Sequence, residues 1–129
     1  MSCKESNRET ESLIDRGLDL ILTKLCYKVC FGEFPIKFKE NEIDLGFTVT
    51  KSIDLGKNLV GCDKIIVFAA TIGLELDRHI LRYGRISPSL AMCLQAIGTE
   101  RIEALCDSFC NELREKYSAH GRSVRPRFS

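Results

Sequence analysis

Cysteine is the residue type in this sequence with the widest range of possible chemistry. The chain has seven cysteines, and two pairs are spaced four residues apart, Cys26 with Cys30 and Cys106 with Cys110. If each pair lies on a helix, its two thiols share one helix face, and four thiolates could bind zinc or an iron–sulfur cluster. Both pairs stand among apolar residues, where cysteine is usually a small buried side chain. Core packing is the favoured interpretation, and a metal-binding or redox protein is the alternative.

Few other residues suggest a chemistry. His79 and His120 are the two histidines, no nucleophile signature surrounds them, and His79 is predicted to lie on a helix surface. The sequence has no Walker A loop, nucleophile elbow or H-E-x-x-H motif. Glu103 could bind a ligand amine, although an exposed acid or one paired with a neighbouring arginine is more usual. The turn at Gly73 could contact a ligand carboxylate, but a backbone requirement for glycine is the favoured explanation.

Composition and charge exclude several classes of protein. The 129 residues are 44% hydrophobic and 29% charged, which suits one domain over residues 1–129, with flexible ends at 1–8 and 118–129. A net charge of +1 and the absence of tryptophan argue against nucleic-acid binding. The longest apolar run, residues 65–70, is far shorter than the roughly 20 residues of a membrane span. The N-terminus has no signal-peptide pattern. We therefore expect no membrane association, a cytoplasmic location and reduced cysteines.

Apolar periodicity predicts the elements that would position these residues. Their order indicates an α+β fold, in which a small, mainly antiparallel sheet packs against long N- and C-terminal helices. Gly98 within the last helix predicts either close packing or a break. The predicted helices cover 9–30, Ser52 to near Gly61, 74–83 with Gly84 closing it, and Pro88 to about 117; the predicted strands are a half-buried hairpin within 34–50 and a buried strand over 64–71.

Three stretches of the sequence together resemble a known family. They are Val67-Phe68-Ala69-Ala70-Thr71-Ile72-Gly73 with Asp77 downstream, Gln95-Ala96-Ile97-Gly98-Thr99 followed by Ile102-Glu103-Ala104-Leu105-Cys106-Asp107, and Pro126-Arg127-Phe128-Ser129. The sequence resembles the activation domain of cobalamin-dependent methionine synthase in its small free-standing bacterial form. The resemblance runs from about Ser52 to the end of the sequence and is expected to include the first helix.

The resemblance implies a function in methionine biosynthesis. Members of the family bind S-adenosylmethionine and dock on a cobalamin-binding (vitamin B12) methyltransferase. When the cobalamin is oxidised to cob(II)alamin, flavodoxin or a similar donor supplies an electron, and methyl transfer from S-adenosylmethionine restores methylcobalamin. The chain would therefore be an accessory component of the methyltransferase rather than a self-contained catalyst, with cobalamin carried by the partner protein.

The resemblance also implies site residues. By position, Glu103 would bind the ligand ammonium and Arg127 its carboxylate, while Thr71 and Gly73 would shape a turn nearby. Family members continue into Pro-Gly-Tyr-Gly, a loop expected to wrap the ligand, whereas this sequence stops at Ser129. A chain that continues further and a relative without ligand binding both fit this difference. A ligand-free helical interaction module is the remaining alternative.

Overall fold

The computed structural model describes the backbone of residues 3–128 and the side chains of residues 8–128. Sequence-based predictions for residues 1, 2 and 129 lie outside the described residues. The described part has a mixed α+β fold with small antiparallel sheets, as the sequence predicts. Its elements are α1 (Cys3–Ile21), a 3-10 turn (Leu22–Lys24), β1 (Lys28–Pro35), β2 (Lys37–Phe38), β3 (Ile43–Asp44), β4 (Val49–Thr50), α2 (Ile53–Leu59), β5 (Lys64–Thr71), α3 (Glu75–Ile86) and α4 (Pro88–Ser118).

Backbone contacts divide the chain into two compact units. The first unit comprises the chain up to Lys28 together with Ala70–Asn111, and the second comprises Val29–Ala69 together with the chain from Glu112 onward. Each unit has its own apolar core. The sequence-based prediction of one domain with flexible ends stays a prediction.

The core of the first unit is formed by α1, α3 and the N-terminal part of α4. Ile21, Leu90 and Leu94 are completely buried there, because apolar residues recur at three- and four-residue spacing along each helix. Glycine allows the helices to approach closely: a Cβ on Gly17 of α1 would lie 2.9 Å from Ile97 Cδ1, and a Cβ on Gly98 of α4 would collide with Leu76 of α3. The sequence predicted either close packing or a break at Gly98; α4 continues through this residue, so close packing is the alternative that the structure supports.

The second unit contains a three-stranded antiparallel sheet, in the order β2-β3-β4. Ile43 pairs with Phe38 on one side and with Thr50 on the other, and it is buried with Leu45 and Leu59. The short helix α2 follows β4 and is capped as predicted, because the Ser52 hydroxyl accepts a hydrogen bond from the Leu55 N–H at 3.2 Å.

The predicted helix over 9–30 is too long. The α-helix ends at Ile21, and Leu25 already has an extended backbone. Residues 27–31 include Tyr27, Val29 and Phe31, which favour strands, and β1 obtains its backbone hydrogen bonds by pairing with β5. At the two ends of this pair, the Cys26 N–H donates to the Ile72 carbonyl at 2.8 Å and the Ile36 N–H donates to the Asp63 carbonyl at 2.9 Å, the pattern of antiparallel neighbours.

Two further predictions are corrected. The helix α3 does not end at Gly84 but continues to Ile86, and the Ser87 N–H still bonds to the Tyr83 carbonyl. Gly84 keeps a negative φ, so its backbone is compatible with the helix, unlike Gly73. The strand β5 is not buried on both faces, because its residues alternate between half-buried and exposed over most of its length. A two-stranded antiparallel pair leaves one face open to solvent.

Within the described part of the chain, no helix is both long enough and apolar enough to cross a bilayer.

Candidate ligand cleft

An open cleft of about 460 Å³ lies in the first unit, between the end of β5, the first two turns of α3 and the middle of α4. Its floor is apolar and buried, and it is formed by Ile72, Leu76 and Gly98. Four exposed polar residues surround the opening, and half-buried Ile80 and Ile102 line its sides. The polar residues are Thr71, Asp77, Gln95 and Thr99.

The turn after β5 has a backbone that requires glycine. Gly73 has a φ of +95°, and a Cβ there would lie 3.2 Å from the Cβ and 3.3 Å from the backbone N of Cys26. The Thr71 hydroxyl accepts a hydrogen bond from the Gly73 N–H at 3.1 Å. The backbone explanation for this glycine is therefore confirmed.

The wall formed by α4 depends on one-turn spacing. Gln95 and Thr99 are four residues apart, so they share a helix face, and the Thr99 hydroxyl donates to the Gln95 carbonyl at 3.0 Å. Gly98 lines the cleft between these two polar residues, and the space beside its Cα is occupied by the Leu76 side chain of α3. The absence of a side chain at Gly98 therefore allows Leu76 to form the floor of the cleft.

The structure places the sequence-predicted site residues in different surroundings. Thr71 and Gly73 line the cleft. Glu103 lies in the same unit and is exposed on α4, directly after the lining residue Ile102. Arg127 belongs to the second unit.

Sequence reasoning assigned no site role to Asp77, Gln95 or Thr99, which the structure brings together with Thr71. All three stand within the stretches that carry the family resemblance. For α4, the four-residue spacing of Gln95 and Thr99 indicates that these two polar side chains share one helix face. Nothing in the sequence indicated that α3 would place Asp77 at the same opening.

The cysteine pairs do not share the arrangement predicted for a metal site. Cys26 lies between the 3-10 turn and β1, and Cys30 lies within β1, so this pair has no common helix face. Cys106 and Cys110 do lie on α4, and Cys110 is buried. Among residues 8–128, no group of three or more histidine, cysteine or acidic side chains is arranged to hold a metal ion.

His79 is buried rather than on the helix surface, which corrects the prediction. It lies on the inner face of α3, three residues after the buried Leu76. Its Nδ1 is 2.7 Å from the Glu75 carbonyl oxygen, which can only accept, so Nδ1 carries the proton. Its Nε2 then accepts a hydrogen bond from the Lys24 ammonium at 3.2 Å. The hydrogen bond from Lys24 to the His79 ring therefore connects the 3-10 turn to α3.

Two exposed acids are perturbed by direct partners. On α4, the Arg101 guanidinium donates to Glu100 and lowers the pKa of that carboxyl, while the pKa of Arg101 is raised. In the second unit, the Tyr117 hydroxyl donates to Glu33 at 2.6 Å and Lys64 lies 3.0 Å from the other oxygen. These contacts lower the pKa of Glu33, chiefly through the Tyr117 hydrogen bond, and the same bond raises the pKa of Tyr117.

The fold and the cleft define a mixed α+β protein with a site of small-molecule size. No protein-family model, no curated protein and no solved structure matches this chain.

Proposed function

We propose that this chain is an S-adenosylmethionine-binding module that supports the reductive methylation of cob(II)alamin. Its partner would be cobalamin-dependent methionine synthase or a related corrinoid methyltransferase. One observation supports the proposal: two of the three stretches that carry the family resemblance, separated by 17 residues (78–94), line the same cleft. Residues 70–73 and 77 come from the first stretch, and residues 95, 98, 99 and 102 come from the second.

The cleft is suited to a ligand of this kind. Small-molecule sites commonly have volumes of about 300–1,000 Å³, with apolar walls and a few polar groups, and the cleft has about 460 Å³, an apolar floor and a polar opening. The ligand's sulfonium and the partner's cobalamin supply the chemistry of methyl transfer, so the chain's task is binding and orientation.

The proposal gives Glu103 and Arg127 complementary roles. A carboxylate at Glu103 suits the ligand ammonium, and a guanidinium at Arg127 suits the ligand carboxylate through two parallel hydrogen bonds. Thr71 and Gly73 would shape the adjacent wall. Glu103 belongs to the first unit and Arg127 to the second.

Isothermal titration calorimetry with S-adenosylmethionine tests the proposal. The concentrations should allow detection of a Kd up to about 1 mM, which corresponds to roughly −4 kcal/mol. Saturable one-site binding is expected. Absence of heat at these concentrations, with a folded protein by circular dichroism, would contradict the proposal for this chain.

Matched variants test the assigned residues. Glu103→Gln should weaken binding, whereas Glu112→Gln, an exposed acid further along α4, should not. Arg127→Ala should abolish binding, and Arg127→Lys should restore little of it, because an ammonium cannot form the paired contact. Unchanged affinity in Arg127→Ala would show that this residue has no role.

A helical interaction module is the second candidate function, and the outward face of α3 favours it. Leu74 and Leu81 are 67% and 80% exposed, and they share this face with Arg78 and Arg85, four and eleven residues after Leu74. Arg78 is already paired with Glu75 at 2.6 Å, and the exposed Asp77 stands next to it on α3, so this face carries charges of both signs. A protein with an apolar patch that covers the two leucines therefore fits. Leu81→Gln, which adds no charge beside Asp77, should abolish such an interaction without changing S-adenosylmethionine binding in the calorimeter.

A further inference from the structure

The cleft has one ionisable side chain. Among its lining residues only Asp77 carries a charge, and the others are apolar, glycine, threonine or glutamine. No lysine, arginine or histidine lines the opening. The fixed side-chain charge of the cleft is therefore negative.

Asp77 has no competing partner among the described residues. It is exposed in the first turn of α3. The neighbouring acid Glu75 accepts from Arg78 at 2.6 Å, which engages the adjacent cation. Among the described residues, this contact holds the Arg78 guanidinium at Glu75 rather than at Asp77. The carboxylate is therefore available to a ligand.

Two hydrogen bonds beside the cleft fix the positions of their donors. The Gly73 N–H donates to the Thr71 hydroxyl, and the Arg78 N–H donates to the Leu74 carbonyl. The Thr99 hydroxyl proton is directed to the Gln95 carbonyl at 3.0 Å, which leaves the Thr99 oxygen as an acceptor. A cation at the opening would therefore find the Asp77 carboxylate and the Thr99 oxygen as acceptors.

We propose that the cleft selects for positive charge on its ligand and that Asp77 is the residue responsible. The inference rests on the proposed function and adds a specificity that it does not contain. S-adenosylmethionine carries a sulfonium charge that S-adenosylhomocysteine, the product of methyl loss, does not have. Asp77 would therefore favour the methyl donor over the product, so that the product leaves after transfer.

The test compares the two ligands by calorimetry on the full 129-residue chain. Wild type should bind S-adenosylmethionine about tenfold more tightly than S-adenosylhomocysteine at low salt, the scale of one charge pair near a protein surface. Asp77→Asn should remove most of this difference by weakening only the charged ligand, and Asp77→Glu should restore part of it. The control Asp19→Asn, an exposed acid on α1 of the same unit, should leave both affinities unchanged.

The salt dependence of the two affinities distinguishes an electrostatic role of Asp77 from a purely structural one. Raising the ionic strength from about 20 mM to about 500 mM shortens the screening length several-fold. The preference of wild type for S-adenosylmethionine should fall, and the Asp77→Asn variant should show no comparable change.

The outcomes separate this inference from the proposed function. If wild type binds neither ligand, the proposed function fails and the inference fails with it. If wild type binds but Asp77→Asn keeps the same ratio of affinities, or weakens both ligands equally, only the role of Asp77 is overturned. If Asp77→Asn binds the two ligands with nearly equal affinity and keeps the melting temperature of wild type, the result supports the role of Asp77.

Discussion

At the residue scale, two helical glycines have opposite surroundings. A Cβ at Gly98 would collide with the side chain of Leu76, which is 5% exposed and held in the core. A Cβ at Gly84 would meet nothing within 4 Å. Both residues lie within helices, where alanine is favoured over glycine by about 1 kcal/mol. The surroundings therefore decide whether a glycine-to-alanine substitution raises or lowers the free energy of unfolding.

We predict that Gly98→Ala destabilises the protein and that Gly84→Ala stabilises it. Overpacking costs about 1–3 kcal/mol, which exceeds the gain in helix propensity at Gly98, whereas Gly84→Ala should gain about 0.5–1 kcal/mol. Urea unfolding measures both changes. Equal stabilisation by the two substitutions would contradict the close approach of α3 and α4.

The Glu33 carboxyl makes a second prediction at this scale, on pH. The pKa of Glu33 is lowered in the folded protein by Tyr117 and Lys64. The ionised carboxylate therefore stabilises the fold at pH values above its ordinary pKa of 4.5, and this stabilisation is lost as the pH falls through the lower pKa of the folded state. Glu33→Gln should therefore melt below wild type at neutral pH, and the difference should shrink on acidification to about pH 3.

Thermal unfolding monitored by circular dichroism checks this prediction. The control is Glu112→Gln, an exposed acid in the same unit, which should leave the melting temperature nearly unchanged at both ends of the pH range. A Glu33→Gln difference that stays constant with pH would rule out the proposed linkage.

At the element scale, β1 changes the surroundings of two thiols. Cys26 and Cys30 are exposed beside and within this strand, whereas Cys110 is buried on α4. A helix over 9–30 would have placed Cys26 and Cys30 on one helical face. Residues 28–35 instead form β1, which pairs with β5, so the two cysteines do not lie on a helix.

We expect these thiols to react at different rates. Since reaction needs access as well as thiolate, Cys26 and Cys30 should be labelled by a water-soluble thiol reagent in the native state, and Cys110 should be labelled only after unfolding. Mass spectrometry of peptides from briefly labelled protein identifies the sites. Rapid labelling of Cys110 in native protein would contradict its burial.

The cap of α2 is a second prediction at the element scale. The helix has only seven residues, so one satisfied N–H is a large part of its hydrogen bonding. Ser52→Ala should lower stability by about 1 kcal/mol, and Ser52→Asp, which keeps an acceptor, should lower it much less. Urea unfolding distinguishes these results. Equal losses would show that the hydroxyl at Ser52 has no capping effect.

At the scale of the whole molecule, the division into two units makes the location of binding measurable. The cleft lies wholly in the first unit, and Arg127 lies in the second. A ligand slows hydrogen exchange where it restricts local opening. Exchange can therefore report which unit responds to S-adenosylmethionine.

We predict that S-adenosylmethionine slows amide exchange over residues 70–77 and 95–102. If Arg127 also binds, peptides from the C-terminal residues should become protected in wild type but not in Arg127→Ala. Hydrogen-exchange mass spectrometry measures both regions. Protection confined to the second unit would contradict binding in the cleft.

Features that depend on local chemistry could be predicted from the sequence. The α+β class, the cap at Ser52, the strand over 64–71, the start of α4 at Pro88 and the glycine at the turn after β5 all follow from periodicity, capping or backbone sterics. Such signals act within one turn of helix or a few residues of strand. These signals can be recognised in the sequence without knowledge of the residues that pack against the element.

Which distant residues come into contact could not be predicted, because it depends on how the elements pack. Pairing of β1 with β5 overrode the helical pattern beyond Ile21, and burial of α3 turned His79 inward. The close approach of α3 and α4 at Gly98 placed Asp77 beside Gln95 and Thr99. These outcomes depend on contacts between residues distant in sequence, whose energies no local pattern contains.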